Sequence, residues 1–301
     1  MSNTVVDVIL AAHNGEKYIK EQIESILGQT HSALKLIVTD DGSKDSTVDI
    51  VKSIAAIDTR VSLHICPDST GVVSNFNYGL QFSNADYIFF SDQDDVWEDT
   101  KIEVMLSKMR ETEKVNGAVV PCIGFSNLHV VDEHLQTIHS DFYRFSQLAP
   151  ENNLNINYLL WRSSVYGCTT VMNRVLFNCA GKVPAGIAMH DHWYAFQAAL
   201  HGKIFYVPQA LIRYRQHSAN VVGAHQRGLL ARIKRFSKTL DGIKRSVVSA
   251  RLMYLMYHHK DENSPLSLTE KLSFLKDNIQ PYYKERLAYN MIFSILWLTH
   301  G

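Results

Sequence analysis

Several features are scarce in this chain of 301 residues. It has four cysteines, Cys66, Cys122, Cys168 and Cys179, and no C-x-x-C spacing among them. Neither a disulfide framework nor a zinc knuckle is implied, and the apolar stretches around the thiols predict reduced, buried cysteines in a cytosolic protein. No apolar run is long enough to cross a bilayer, since the longest late one, Met291–Leu298, is short and contains Ser294. The first residues, Met1-Ser2-Asn3-Thr4, lead straight into a strand-like segment with no basic region or cleavage site, so export is not expected. Net charge is also missing, with 30 Lys and Arg against 30 Asp and Glu. That zero hides an asymmetry. Residues 1–224 carry 17 basic and 24 acidic side chains, a balance of −7, whereas 225–301 carry 13 and 6, a balance of +7. The tail therefore has a different job from the body.

What is present is an ordinary globular composition, 46% hydrophobic and 20% charged, on a chain long enough for one large domain with an accessory piece. Apolar β-branched runs predict strands at Val5–Ala11, Leu34–Thr39, Val61–Cys66, Tyr87–Ser91 and Ala118–Phe125. Between them Glu16–Leu27 and Thr47–Ile57 space their apolar residues as amphipathic helices do. The alternation implies an α/β fold with a mostly parallel central sheet flanked by helices. A looser, Asn-rich segment spans 126–186, a helix is expected at Tyr194–Leu200, and two strands at Ile204–Val207 and Leu211–Arg215.

Polar residues then fall in a telling place. His13-Asn14-Gly15, Asp40-Asp41-Gly42-Ser43 and Asp92-Gln93-Asp94-Asp95 each follow the carboxyl end of a predicted strand. In open α/β sheets ligands bind along that edge, so the clusters should converge on one crevice. Asn-Gly and Asp-Gly-Ser are also ordinary turn residues. The third cluster is harder to explain as a turn, because three carboxylates in four residues repel one another unless a cation neutralises them.

These residues, with Ser91-Asp92-Gln93-Asp94-Asp95-Val96-Trp97, His190-Asp191-His192-Trp193 and Tyr214-Arg215-Gln216-His217, resemble the inverting family 2 glycosyltransferases of the GT-A fold, within them the bacterial rhamnosyltransferase-like branch. The resemblance covers roughly residues 4–223. It implies a catalytic domain over 1–224, with a nucleotide-sugar donor half at 1–125 and an acceptor half carrying the base at 126–224. It also implies specific roles. Asp191 is the expected general base, with N-capping of its helix as the structural alternative. Asp92 and Asp94 fit the D-x-D positions, with Asp94 on the metal and Asp92 on the donor ribose, the metal or both. His217, 26 residues after Asp191, is the third expected ligand, or else a hydrogen-bonded loop histidine. The cofactor is Mn²⁺ or Mg²⁺, and an imidazole ligand suits Mn²⁺ better. Asp95 is either a support for the metal site or the cap of the helix around Thr100.

For the donor, Asp41 matches the position that accepts the pyrimidine imide N–H, and His13 stands where a tyrosine often stacks on the base. Ala11, Asn14, Glu16, Asp40 and Gln93 complete the donor set, and of Arg213 and Arg215 one, Arg215 in this assignment, is expected to reach the diphosphate, with solvent exposure the alternative for either. On the acceptor side Trp193 is expected either to stack on a sugar ring or to pack in the core. His190 and Cys168 are assigned there too, with Gly167 allowing a close approach.

The basic stretch Arg227–Arg251 holds eight Lys or Arg and one acid, Asp241. Its interleaved Leu229, Leu230, Ile233, Phe236, Leu240, Ile243 and Val247 suit either an anionic membrane surface or a face packed on the domain or on a second copy. Nucleic acid is discounted, because the acidic body would oppose it.

The resulting expectation is a metal-dependent inverting hexosyltransferase that moves L-rhamnose from dTDP-L-rhamnose to a bacterial cell-surface glycan or lipid-linked acceptor, as in O-antigen or capsule synthesis. It would work in the cytoplasm at the inner face of the plasma membrane. A UDP-galactose or UDP-glucose donor is the alternative. Outside the class stand a non-catalytic nucleotide-sugar binding protein and a metal-dependent phosphohydrolase.

Overall fold

The structure, a computed structural model, describes residues 4–67, 71–117, 119–217 and 229–301, without the side chains of 229–238. Strand β1 (Val6–Ala12) leads through helix α1 (Ile19–Leu27) to β2 (Leu34–Asp40), and α2 (Thr47–Ala55) leads to β3 (Val61–Ile65). A short helix α3 (Val72–Gly79), not foreseen in the sequence, precedes β4 (Tyr87–Ser91). These strands lie parallel in the order β3-β2-β1-β4, with Val6 opposite both Leu34 and Tyr87. Successive side chains of a strand point to opposite faces, so each strand feeds two cores. Val6, Val8 and Leu10 join Ile23, Val51 and Met105 on one face, whereas Ile9, Ile88 and Phe90 join Phe76 and Tyr194 on the other.

Beyond β4 come β5 (Val96–Trp97), α4 (Lys101–Asn116), β6 (Cys122–Val131), β7 (Thr137–His139), α5 (Phe142–Ser146) and α6 (Ile156–Leu159). They are followed by β8 (Thr170–Asn173), α7 (Arg174–Ala180), α8 (His190–His201) and β9 (Lys203–Arg215). Strand β8 is the join, antiparallel to both β4 and β6, while β9 runs parallel to β6 and antiparallel to β5. The parallel character expected of the sheet thus belongs to its first half, and the second half is mixed. The strand expected from Ala118 starts at Cys122 and runs on to Val131, with Ala118 itself outside the described residues. The two strands expected at Ile204–Val207 and Leu211–Arg215 are one. Its ladder to β6 skips from Val207 to Ala210, a bulge that absorbs Pro208, which has no N–H to donate.

Three helices close the chain, α9 (Leu229–Tyr257), α10 (Leu268–Phe274) and α11 (Leu287–His300). The boundary expected at 224 lies outside the described residues, as do the side chains of Leu229, Leu230, Ile233 and Phe236. The rest of the amphipathic face of α9 is not open to a membrane. Ile243, Val247, Ala250 and Met253 are buried in the same core as Phe90 and Tyr194, and Ser249 Oγ accepts from Ala188 N–H at 2.8 Å. Phe274 stacks on Trp297 at 3.8 Å, so α10 and α11 close over that core. Among the described residues no helix is long and apolar enough to cross a membrane. Of the thiols expected to be buried, Cys66, Cys122 and Cys168 are, whereas Cys179 is exposed on α7, where no sheet covers it.

Candidate active site

The loop after β1 and the loop after β2 are laced together by side chains accepting from backbone. Asn14 N–H donates to Ser43 Oγ at 2.8 Å, and Lys44 N–H returns a bond to Asn14 Oδ1 at 2.8 Å. Gly15 N–H donates to Thr47 Oγ1 at 2.7 Å, and Ser46 N–H to Glu16 Oε2 at 3.0 Å. Asn14 holds φ 49°, a left-handed conformation that asparagine tolerates better than most residues. Asp40 is buried and takes Gly42 N–H, Ser43 N–H and Ser43 Oγ–H, so it shapes its own turn. Asp41 Oδ2 accepts Gly71 N–H at 3.0 Å, and the Asp41 carbonyl lies 2.9 Å from His13 Nδ1, which leaves the His13 ring exposed at the rim. Ala11 sits on β1 opposite Thr39, in partial contact with solvent.

Gln93 buckles the acidic loop to the first loop. Its Oε1 accepts His13 N–H at 2.8 Å and its Nε2 donates to His13 carbonyl oxygen at 3.0 Å. A Cβ on Gly15 would lie 2.2 Å from Gln93 Oε1, which explains a glycine there. Gln93, expected in the donor set, thus ties two loops together. Arg215, expected at the diphosphate, is also held by protein groups. Its guanidinium is 3% exposed and spans Asp94 carbonyl oxygen at 2.9 Å, Glu133 carbonyl oxygen at 2.7 Å and Glu21 Oε2 at 2.5 Å. A planar donor fork engaged this fully serves as a loop clamp, and β9 places it there because Arg215 N–H also reaches Asp95 Oδ1 at 3.2 Å.

Within the acidic loop the carboxylates divide. Asp94 meets His217, Nε2 to Oδ2 2.9 Å, and the His217 ring lies 4.9 Å from that of Tyr18. Asp95 is wholly buried, and one carboxylate oxygen, Oδ2, has no hydrogen-bond partner. It does not cap the next helix, whose first turn starts at Lys101 after Thr100. Asp92, Asp95 and Cys168 bring potential ligand atoms within 4.8 Å of one another. Burial, followed by the charges of Asp94 and Asp191, pushes the Asp92 carboxyl up to about 7. Such a group is short of positive charge.

Beneath it lies a residue that the sequence reading passed over. Lys101, fully buried at the start of α4, donates from Nζ to Cys168 carbonyl oxygen at 2.5 Å and sits 3.2 Å over the Trp97 ring. Burial lowers its pKa well below the usual lysine value, and the neighbouring Cys168, Asp95 and Asp92 oppose that shift. A lysine in the first turn of a helix reads as a solvated residue, so only the tertiary position marks it.

Asp191 lies near enough for its charge to be felt by Asp92. It lies inside the first turn of α8, whose N-cap is Met189, so it is not the capping residue. Its Oδ2 accepts Gly167 N–H at 2.9 Å and its Oδ1 accepts His192 N–H at 2.6 Å. Burial raises it to about 6, against the lowering by those two N–H donors. A carboxylate at about 6 is deprotonated at neutral pH and basic enough to take a proton, the balance a general base needs.

The residues assigned to the acceptor are not at the surface. Trp193 is 3% exposed and packs near Phe196, because α8 turns that face into the core. His190 is buried between Phe76 and Phe90, ring centroids 4.0 and 4.8 Å away, and burial lowers it to about 3, a neutral ring. It supports Gly167, where an added Cβ would come within 2.4 Å of His190 Nε2. Cys168 is 1% exposed and forms the floor of the acidic group.

The residues fit a divalent cation. The orphaned Asp95 oxygen and the raised Asp92 mark a carboxylate cluster that lacks counter-charge, and Asp94 with His217 adds an oxygen and a nitrogen donor at its open side.

The chain is similar to known glycosyltransferases. The profile of Glycosyl transferase family 2 matches residues 7–178. An uncharacterized glycosyltransferase of Haemophilus influenzae is 25% identical over 279 residues, covering 87% of this chain and 83% of that one. The putative teichuronic acid biosynthesis glycosyltransferase TuaG of Bacillus subtilis is 33% identical over 107 residues, 36% of this chain and 42% of its own. Among solved structures, S. aureus TarS 1–349 in complex with UDP-GlcNAc superimposes with a TM-score of 0.58 at 14% identity, over 97% of this chain and 89% of that one. Mannosyltransferase PcManGT from Pyrobaculum calidifontis, in complex with GDP-Man and Mn²⁺, gives 0.56 at 16% identity, over 97% and 86%. At such identities the two structures speak to the fold, which is GT-A.

Proposed function

The chain belongs to glycosyl transferase family 2, and from that premise we propose that it is a metal-dependent inverting enzyme that uses Asp191 as its general base. The observation that supports this reading is the gathering of carboxylates, with Asp94 against His217 and Asp191 near enough for its charge to act on Asp92. Asp92, Asp94 and His217 would hold a divalent ion, Mn²⁺ or Mg²⁺, whose chemistry is to neutralise the leaving diphosphate. Asp191 takes the proton from an acceptor hydroxyl as that oxygen attacks the anomeric carbon, and a single displacement inverts the centre. Gly167 and His192 N–H groups keep its two oxygens aimed, while Gln93 and Arg215 hold the acidic loop at a fixed height against the donor loops.

The donor we propose is dTDP-L-rhamnose, on the likeness of Asp92-Gln93-Asp94-Asp95-Val96-Trp97 and Tyr214-Arg215-Gln216-His217 to the rhamnosyltransferase branch. The acceptor is a glycan or lipid-linked saccharide of the cell surface, in keeping with the role in TuaG's name. Uracil and thymine present the same imide N–H to Asp41, so the test is a panel of dTDP- and UDP-sugars with Mn²⁺, read as released nucleoside diphosphate. Rhamnose-dependent release supports the reading, and preference for UDP-galactose or UDP-glucose replaces the donor while keeping the chemistry. Absence of release with every sugar and acceptor tried, from protein that binds nucleotide, would favour a binding role.

A further inference from the structure

Helix α11 is apolar on two faces, and among the described residues only one of them is buried. Phe293 and Trp297 are buried against α9 and α10. On the other side Leu287, Met291, Ile295 and Leu298 are 52, 49, 60 and 36% exposed. Their spacing of four, four and three residues makes a continuous stripe, about 16 Å long at 1.5 Å per residue. A stripe of that kind in water marks a contact surface.

Its surroundings say what covers it. Lys284 and Arg286 stand at the head of the stripe and are exposed, and neither forms an ion pair among the described residues. Lys271 reaches the tail, donating from Nζ to Leu298 carbonyl oxygen at 3.1 Å. The nearby acids are used internally. Glu285 accepts from Asn152 Nδ2 at 2.5 Å and faces Arg162 at 3.7 Å, and Glu270 is engaged by Lys260 and by the capping box with Ser267. A two-fold contact between copies would set this basic rim against itself, whereas an anionic surface neutralises it. We infer that the outward face of α11 seats on an anionic lipid bilayer, with its apolar side chains among the acyl chains and its cations at the headgroups.

The placement bears on the transfer reading without depending on it. Glu285, the residue before Arg286, is tied to Asn152 and Tyr158 of the acceptor half, so the docked face begins beside the part of the molecule that receives a lipid-linked acceptor.

The test uses the full chain and vesicles, with no sugar donor, so failure of the transfer reading leaves its outcome untouched. Co-sedimentation is measured with phosphatidylcholine vesicles and with phosphatidylcholine–phosphatidylglycerol vesicles. Wild type should partition to the mixed vesicles, and added salt should weaken it. Met291→Gln with Ile295→Gln, both at exposed sites, should lower partitioning on the order of tenfold or more with an unchanged melting temperature. Lys284→Gln with Arg286→Gln should remove the preference for the anionic lipid. Equal partitioning of wild type and Met291→Gln/Ile295→Gln overturns the inference, as does wild type left in the supernatant. So does a dimer in sedimentation velocity that this double variant dissociates, which would make the stripe a contact between copies.

Discussion

The loop after β2 and the loop after β4 both carry adjacent aspartates at the same edge of the same sheet, yet they are built differently. In the first, Asp40 is saturated by three donors from its own turn and Asp41 is held by Gly71 N–H. In the second, Asp95 keeps an oxygen without a partner, Asp92 is pushed up to about 7 by burial and by its neighbours, and the buried ammonium of Lys101 lies below. Identical side chains in equivalent places are thus met by local N–H groups in one loop and left short of such donors in the other. The difference lies in whether local N–H groups satisfy the carboxylate or whether something else must.

The comparison can be broken in several places. The largest effect is expected from Asp191→Asn, which should lower kcat roughly 10²–10⁴-fold with donor binding retained, since only the proton acceptor is lost. Steady-state kinetics beside nucleotide binding checks it. Unchanged turnover would return Asp191 to a structural part. Next, Lys101→Met leaves buried carboxylates facing a neutral side chain and should destabilise the metal-free protein by about 3 kcal/mol, read by urea unfolding. Recovery of most of that loss on adding Mn²⁺ would tie the lysine to the acidic cluster. Third, His217→Ala should weaken Mn²⁺ binding on the order of tenfold in calorimetry, whereas Asp40→Ala should leave it alone. Asp40→Ala should instead cost about 1–2 kcal/mol of stability by stranding its turn.

A pH dependence tests the acidic side alone. The folded carboxyls of Asp92 and Asp191, at about 7 and about 6, lie above an unfolded value near 3.9. Folded protein then binds more protons than unfolded protein between pH 4 and 7, so the metal-free form should lose stability as pH rises through that window. The activity limb runs the other way. With Asp191 as base, kcat/KM should fall as pH drops below about 6.

Much of the first half of the sheet was readable from the chain, because its signals are local. Tyr87–Ser91 is an apolar run with a polar loop at its end, and strand and loop both appear where that pattern puts them. Helix α3 escaped because Val72–Gly79 is short and carries neither a side-chain cap nor a charge in its first turn. The site was only half readable. The carboxylates and His217 are named by their motifs, but Trp193, His190 and Cys168 look like groups that meet a sugar until packing turns them inward. The tail misled in the opposite sense, since the basic pattern of α9 hides a buried face while the short run Met291–Leu298 carries exposed side chains.

The sequence by itself determined the alternation of strands and helices, the parallel first half of the sheet and the polar clusters at its carboxyl edge. Each rests on periods of two or 3.6 residues and on turn chemistry, which act over a few positions. Only the tertiary structure decided which carboxylates are satisfied and which keep an oxygen without a partner. Those outcomes depend on partners far apart in the chain, such as His217 and Asp94, separated by 123 positions, or Lys101 and Cys168, separated by 67. A buried charge is defined by what surrounds it, and no local pattern records that.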